Sequence, residues 1–186
     1  VVSEVVGDQH IIGNVRIDGK DHPDWIMFPA IRSEAGFFNK MNAVYPHALP
    51  MGFTVQGIVS LDERTIGVFG AGGEIAKVDV LERAILDRVG GRRGLPYPES
   101  VTRIDNTTLS LMDDKIWNWD GVHEPASISD PIENDSDQEG STYQGLANTT
   151  KTEVWTFDLP AHHWTLFIFP DQGNSGTFMF VFDQER

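Results

Sequence analysis

Six histidines have the first claim to chemistry in this sequence: His10, His22, His47, His123, His162 and His163. Imidazoles hold a transition metal when several converge with a carboxylate, and small β-barrel oxygenases achieve this with His-x-His and a glutamate a few residues on. The spacing here does not match. His162 and His163 are adjacent, so on a strand they point to opposite faces, and His123-Glu124 has the same defect. A second candidate is the polar run at 130–140, where Asn134, Asp135, Asp137 and Glu139 supply oxygen ligands of the kind calcium takes. An EF-hand loop would need a glycine at its sixth position, a glutamate at its twelfth and a helix on each side, so the run reads as an exposed loop.

Other constellations fare similarly. Gly70-Ala71-Gly72-Gly73 follows an apolar stretch, but the third glycine of a dinucleotide-binding loop would fall where Ile75 stands. It reads as a glycine turn. Ser3, Ser60, Ser110 and Ser175 lack the Gly-x-Ser-x-Gly context of a nucleophile elbow. A carboxylate pair for glycoside hydrolysis is defined in space, and no spacing here favours one. Trp117 and Trp119 are two apart and share a strand face, which suits either a sugar-stacking platform or, more commonly for aromatics, core and subunit contacts. Arg92-Arg93 is the one adjacent basic pair, suited to an acidic neighbour or to simple solvation. No catalytic, cofactor-binding or metal-ligating residue is expected, and no cofactor.

The elements that position these residues are mostly strands. Val- and Ile-rich or alternating stretches predict strands over 1–6, 10–17, 25–28, 52–61, 65–69, 101–104, 107–112, 115–119 and 151–159. Gly7-Asp8, Gly19 to Asp24, 61–64, Asp105-Asn106 and Asp113-Asp114 are the turn formers between them. An irregular connection is expected over 33–50 and another from 120 to 147. One helix is predicted over 79–89: Asp79 is an N-cap with Glu82 three on, Leu81, Ile85, Leu86 and Val89 share a face, and Gly90-Gly91 supplies the stop. The chain closes on a hairpin, 164–169 and 177–182. Phe178, Phe180 and Phe182 are expected in the core, with Met179 and Val181 on a second face covered by a connecting segment or a neighbouring subunit.

Composition narrows the classes. The 186 residues hold 28 Asp plus Glu against 14 Lys plus Arg, a net charge of −14, which disfavours nucleic acid as a partner. An acidic, lysine-poor surface is also what concentrated salt selects, since screening relieves its self-repulsion. There is no cysteine, hence no disulfide, thiol nucleophile or thiolate metal site. No apolar run approaches the roughly 20 residues that span a bilayer, so a soluble chain is expected. Length and strand pattern together predict a single all-β domain over 1–186, a jelly-roll sandwich or barrel with one short helix and long loops. Its surplus of apolar strand faces predicts oligomer contacts.

As a whole-chain profile of size, acidic cysteine-free composition and strand pattern, the sequence resembles the small major capsid protein of tailless icosahedral haloarchaeal viruses with an internal membrane. The resemblance implies a non-enzymatic virion protein, an upright single jelly roll partnered by copies of itself and by a second capsid protein over a lipid vesicle. The alternatives are a carbohydrate-binding β-sandwich using Trp117 and Trp119, cytoplasmic or secreted, and a cupin-like metal enzyme. On the assembly reading, Trp117, Trp119, Met179, Val181, Arg92 and Arg93 are the candidate interface residues.

Overall fold

The computed structural model describes residues 1–7, 9–28, 48–89, 100–104, 107–112, 115–128, 154–169 and 178–184. It is an all-β structure. The chain divides into two compact units, Val1–Pro98 and Glu99–Arg186.

In the first unit, β1 (Val2–Val6), β2 (Gln9–Ile17), β3 (Lys20–Met27) and β4 (Ala48–Pro50) form one antiparallel sheet, each strand paired with the next. A second follows in the same manner from β5 (Val55–Ser60), β6 (Thr65–Gly70), β7 (Ile75–Asp79) and β8 (Ala84–Val89). The two sheets share one apolar core. Val2, Val6, Ile11 and Ile26 from the first meet Val55, Ile58, Ile66, Val68 and Val78 from the second. They approach closely at Gly13, where an added Cβ would lie 2.9 Å from Val55 Cγ1 and 3.0 Å from Ile58 Cδ1. A side chain there would push the sheets apart. Every residue of β6 is buried, so this central strand is covered on both faces.

The second unit repeats the pattern. Its first sheet contains β9 (Val101–Ile104), β10 (Thr107–Met112), β11 (Lys115–Trp119) and the short β12 (Ala126–Ser127), in meander order. The last has three strands, β13 (Trp155–Leu159), β14 (Trp164–Phe169) and β15 (Phe178–Asp183). Sheets of up to four antiparallel strands in simple up-and-down order are the pattern of a propeller blade. A jelly roll instead pairs strands far apart in sequence through two Greek keys. That order, expected from strand number and length, does not appear: among the described residues every ladder joins consecutive strands. The physical reason is turn length, since tight connections make neighbours in sequence into antiparallel neighbours in space.

The helix expected over 79–89 is also absent, and its place is taken by a tight turn followed by β8. Asp79 Oδ1 accepts hydrogen bonds from the amides of Leu81 and Glu82, both at 2.9 Å. These are the bonds an N-cap makes, which is why the sequence signature is the same. Here the turn stops at Arg83, whose φ is 54°, a left-handed value that no helix continues through. Leu81 and Leu86, two residues of the proposed helical face, are 58% and 53% exposed, while Ile85 packs on the sheet core. The same device recurs at the end of β11. Asp120 Oδ1 accepts from the amides of Val122 and His123, each at 2.8 Å, so in two of the three four-stranded meanders an aspartate at the end of the third strand closes the next turn.

Of the connection expected over 33–50, residues 33–47 lie outside the described residues, as do Gly90-Gly91, the turns at 105–106 and 113–114 and most of the connection from 120 to 147.

Asp79 is buried and also accepts from Arg64 Nε at 2.7 Å, across the turn between β5 and β6. Burial alone would raise its pKa, but the amides of Glu82 and Leu81 and the Arg64 guanidinium outweigh it and hold the carboxyl below its ordinary value. With the folded pKa below the unfolded one, its contribution is complete above the ordinary carboxylate range and is lost as pH falls through the lower folded value. Asp79→Ala is expected to remove about 2 kcal/mol from the unfolding free energy in urea at neutral pH. The deficit should shrink on acidification below about pH 4.

Candidate functional site

The side chains of β13 alternate in an unexpected sense. Trp155, Phe157 and Leu159 point one way, Thr156 and Asp158 the other. A strand on a single core buries its apolar set and gives its polar set to water. Here the polar set lies on the packed face, beside Thr165, Phe167 and Phe169 of β14, all three buried. The Gln184 side-chain amide donates to Asp158 Oδ1 at 2.9 Å and to Thr165 Oγ1 at 3.0 Å, which ties the end of the sheet together, while the buried Thr156 Oγ1 has no hydrogen-bond partner among the described residues. Phe180 of β15 meets Phe169 edge-on, ring centroids 5.7 Å apart.

The apolar set therefore faces solvent, and the strand register assembles it into three rows. Trp155 pairs with Ile168 and Ile168 with Met179; Phe157 with Leu166 and Leu166 with Val181; Leu159 with Trp164 and Trp164 with Asp183. Eight of these nine side chains are apolar. Met179 is 54% and Val181 45% exposed, and Trp155, Phe157, Leu159 and Trp164 are exposed as well. His162, in the short 3-10 turn Pro160–His162, stacks on Trp164 with centroids 5.3 Å apart and extends the surface at one edge. From these exposures and ordinary side-chain areas, the face presents on the order of 500 Å² of apolar surface. That is at the upper end of what a monomer ordinarily shows to water.

Met179 and Val181 thus sit on the second face of the closing hairpin, as the alternation predicts, and nothing within the described residues covers them. Trp117 and Trp119 do not form a platform. Trp119 is 1% exposed, with Nε1 donating to the His123 carbonyl at 2.9 Å, and Trp117 is half-buried opposite Ser110. An indole enclosed in this way has no face to offer a sugar. Arg92 and Arg93 lie outside the described residues, as does the acidic run at 130–140. The described histidines are dispersed: His22 lies against Trp25, His162 against Trp164, and His123 pairs with Asp120 through a 2.6 Å contact at Nδ1. That contact, with the two turn amides, holds the Asp120 carboxyl well below its usual range. Among the described residues no three His, Asp or Glu side chains group closely enough to hold a metal ion.

Trp155, Phe157, Leu159 and Trp164 were not singled out by their spacing. The signal was present, since Trp-Thr-Phe-Asp-Leu has period two, but alternation alone does not tell which set faces inward. The sheets themselves begin at residues 2, 55, 101 and 155, a structural period of about 50 residues that propeller repeats share.

No protein-family model matches the chain, and no curated protein matches it. Among solved structures it is similar to BamB from Moraxella catarrhalis, with a TM-score of 0.52 and 14% identity, over 98% of this chain and 44% of that one. AztD from Citrobacter koseri matches with a TM-score of 0.43 and 18% identity, over 64% of this chain and 31% of that one. The chain thus spans less than half the length of either. The likeness to BamB concerns fold alone, and BamB is propeller-like.

An exposed apolar face binds an apolar dye such as ANS in a natively folded protein. The dilute chain is expected to enhance ANS emission at neutral pH. Phe157→Ser with Val181→Ser should lower that enhancement severalfold while leaving the circular dichroism spectrum unchanged; an undiminished signal would place the dye elsewhere.

Proposed function

We propose that this chain is a non-catalytic assembly module of propeller type, and that its work is to dock protein through the β13–β15 face. The observation that supports this most strongly is the reversed amphipathicity of β13, which turns two large aromatics and a leucine to solvent while Thr156 and Asp158 take the packed side. Exposing that much apolar surface is unfavourable by roughly 25 cal/mol per Å², and a structure retains it where covering it is the function. The meander order of the sheets, their period and the likeness to BamB favour a propeller-type arrangement of blades over the jelly roll.

Carbohydrate stacking is the second reading of an exposed Trp and Phe surface. Glycan sites combine such rings with a ring of hydrogen-bonding groups, whereas Leu159, Leu166, Ile168, Met179 and Val181 fill this face with aliphatic surface. Protein docking is the better match. A capsid subunit, joined to copies of itself and to a second capsid protein, is a narrower form of the assembly reading. It rests on the whole-chain profile, and the sheet order lends it no support.

Two measurements test the reading together. Emission from Trp155 and Trp164 should stay constant when soluble glucans, xylans or chitin oligosaccharides are titrated in. A photo-crosslinking residue at position 157, in the cells that make the protein, should give adducts mapping to an apolar protein surface, and one at exposed position 82 should not. Saturable quenching by a glycan would overturn the protein-docking assignment.

A further inference from the structure

We infer that the occupant of the β13–β15 face is the same face of a second copy of this chain, stacked sheet on sheet about a twofold axis. The inference rests on the docking role just proposed and adds the identity of the partner.

Three observations converge on it. The first is the chain's own mode of packing: the β1–β4 and β5–β8 sheets meet through apolar side chains, and β6, a central strand of the second, is buried on both faces. The β13–β15 sheet has the same kind of strands and only one packed face, so another sheet is the shape that fits it. The second is area. Two copies of a face of on the order of 500 Å² bury about 1,000 Å² in total, the size at which a specific interface begins. The third is charge. A chain of net charge −14 repels its copies, so two can meet closely only where carboxylates are scarce. Among the described residues this face carries one acidic residue, Asp183, at a corner of its three rows.

An isologous contact follows from composition. Leu166, at the centre of the rows, would lie close to the axis, and Phe157 and Val181 on either side of it would pack against their symmetry mates. The competing heterologous contact would use the outer face of the β1–β4 sheet, where Val5 is exposed on β1 beside Ser3 and His10. That surface is smaller in apolar content and mixed with polar groups.

Sedimentation of the 186-residue chain over a wide concentration range tests the inference. A monomer–dimer equilibrium is expected that tightens as salt is raised, because screening removes the repulsion while the apolar contact remains. Phe157→Lys and Val181→Lys should each weaken it at least about tenfold, and Met179→Gln, a milder change at an exposed position, should weaken it less. Val5→Lys should leave it unaltered. A wild-type chain that stays monomeric up to near-millimolar concentration and high salt would overturn the inference, as would dimers that Val5→Lys disperses and Val181→Lys does not. ANS binding by such a monomer would show that only the partner is misassigned; its absence would remove the docking face as well.

Discussion

An antiparallel sheet has two faces, and each one that is apolar must be covered by something. In this chain the requirement is met by stacking. Gly13 shows how closely two sheets come when both faces are apolar: the space between β2 and β5 has no room for a methyl group. The fully buried β6 shows that a central strand can have both sides enclosed, as its unbroken run Thr-Ile-Gly-Val-Phe-Gly demands. The β13–β15 sheet obeys the same rule on its Phe167 and Phe169 side and departs from it on the Trp155 and Val181 side. That departure is where the functional reading begins.

The turns make the stacking possible. Asp79 and Asp120 close the turns after the third strands of two meanders with the same pair of side-chain bonds to backbone amides. Each turn brings the next strand back beside the last, so pairing stays local along the chain. Low separation between paired strands favours rapid sheet formation and leaves stability to the faces. In the first unit, Arg64 joins the aspartate at one turn to the neighbouring turn, and it also reaches Glu82 at 3.7 Å, a contact exposed enough to add little.

Strand positions were largely legible in the sequence because β-branched and alternating residues mark them: 101–104, 107–112 and 115–119 coincide with β9, β10 and β11. The Gly70–Gly73 turn was legible for the same reason. Pairing order was not, since alternation fixes a strand's faces but not its neighbour, and a jelly roll and a meander can be built from the same strand lengths. The turn after Asp79 was not legible, because Asp79 and Glu82 form an identical local signature in a capped helix and in a four-residue turn; only Arg83, held at positive φ, distinguishes them. The docking face was half legible. Met179 and Val181 stood out through the doubly apolar β15, while Trp155, Phe157 and Leu159 were hidden by the ordinary assumption that the apolar side of an alternating strand points inward.

Trp155, Trp164 and Met179 form one surface open to water in the isolated chain. Hydroxyl-radical footprinting reads it directly, residue by residue, because thioether and indole side chains oxidise according to their access to solvent. In dilute protein Met179, Trp155 and Trp164 should oxidise at rates near those of free side chains, while Trp119, enclosed beside β10, should be strongly protected. Protection of Met179 comparable to that of Trp119 under those conditions would contradict the account.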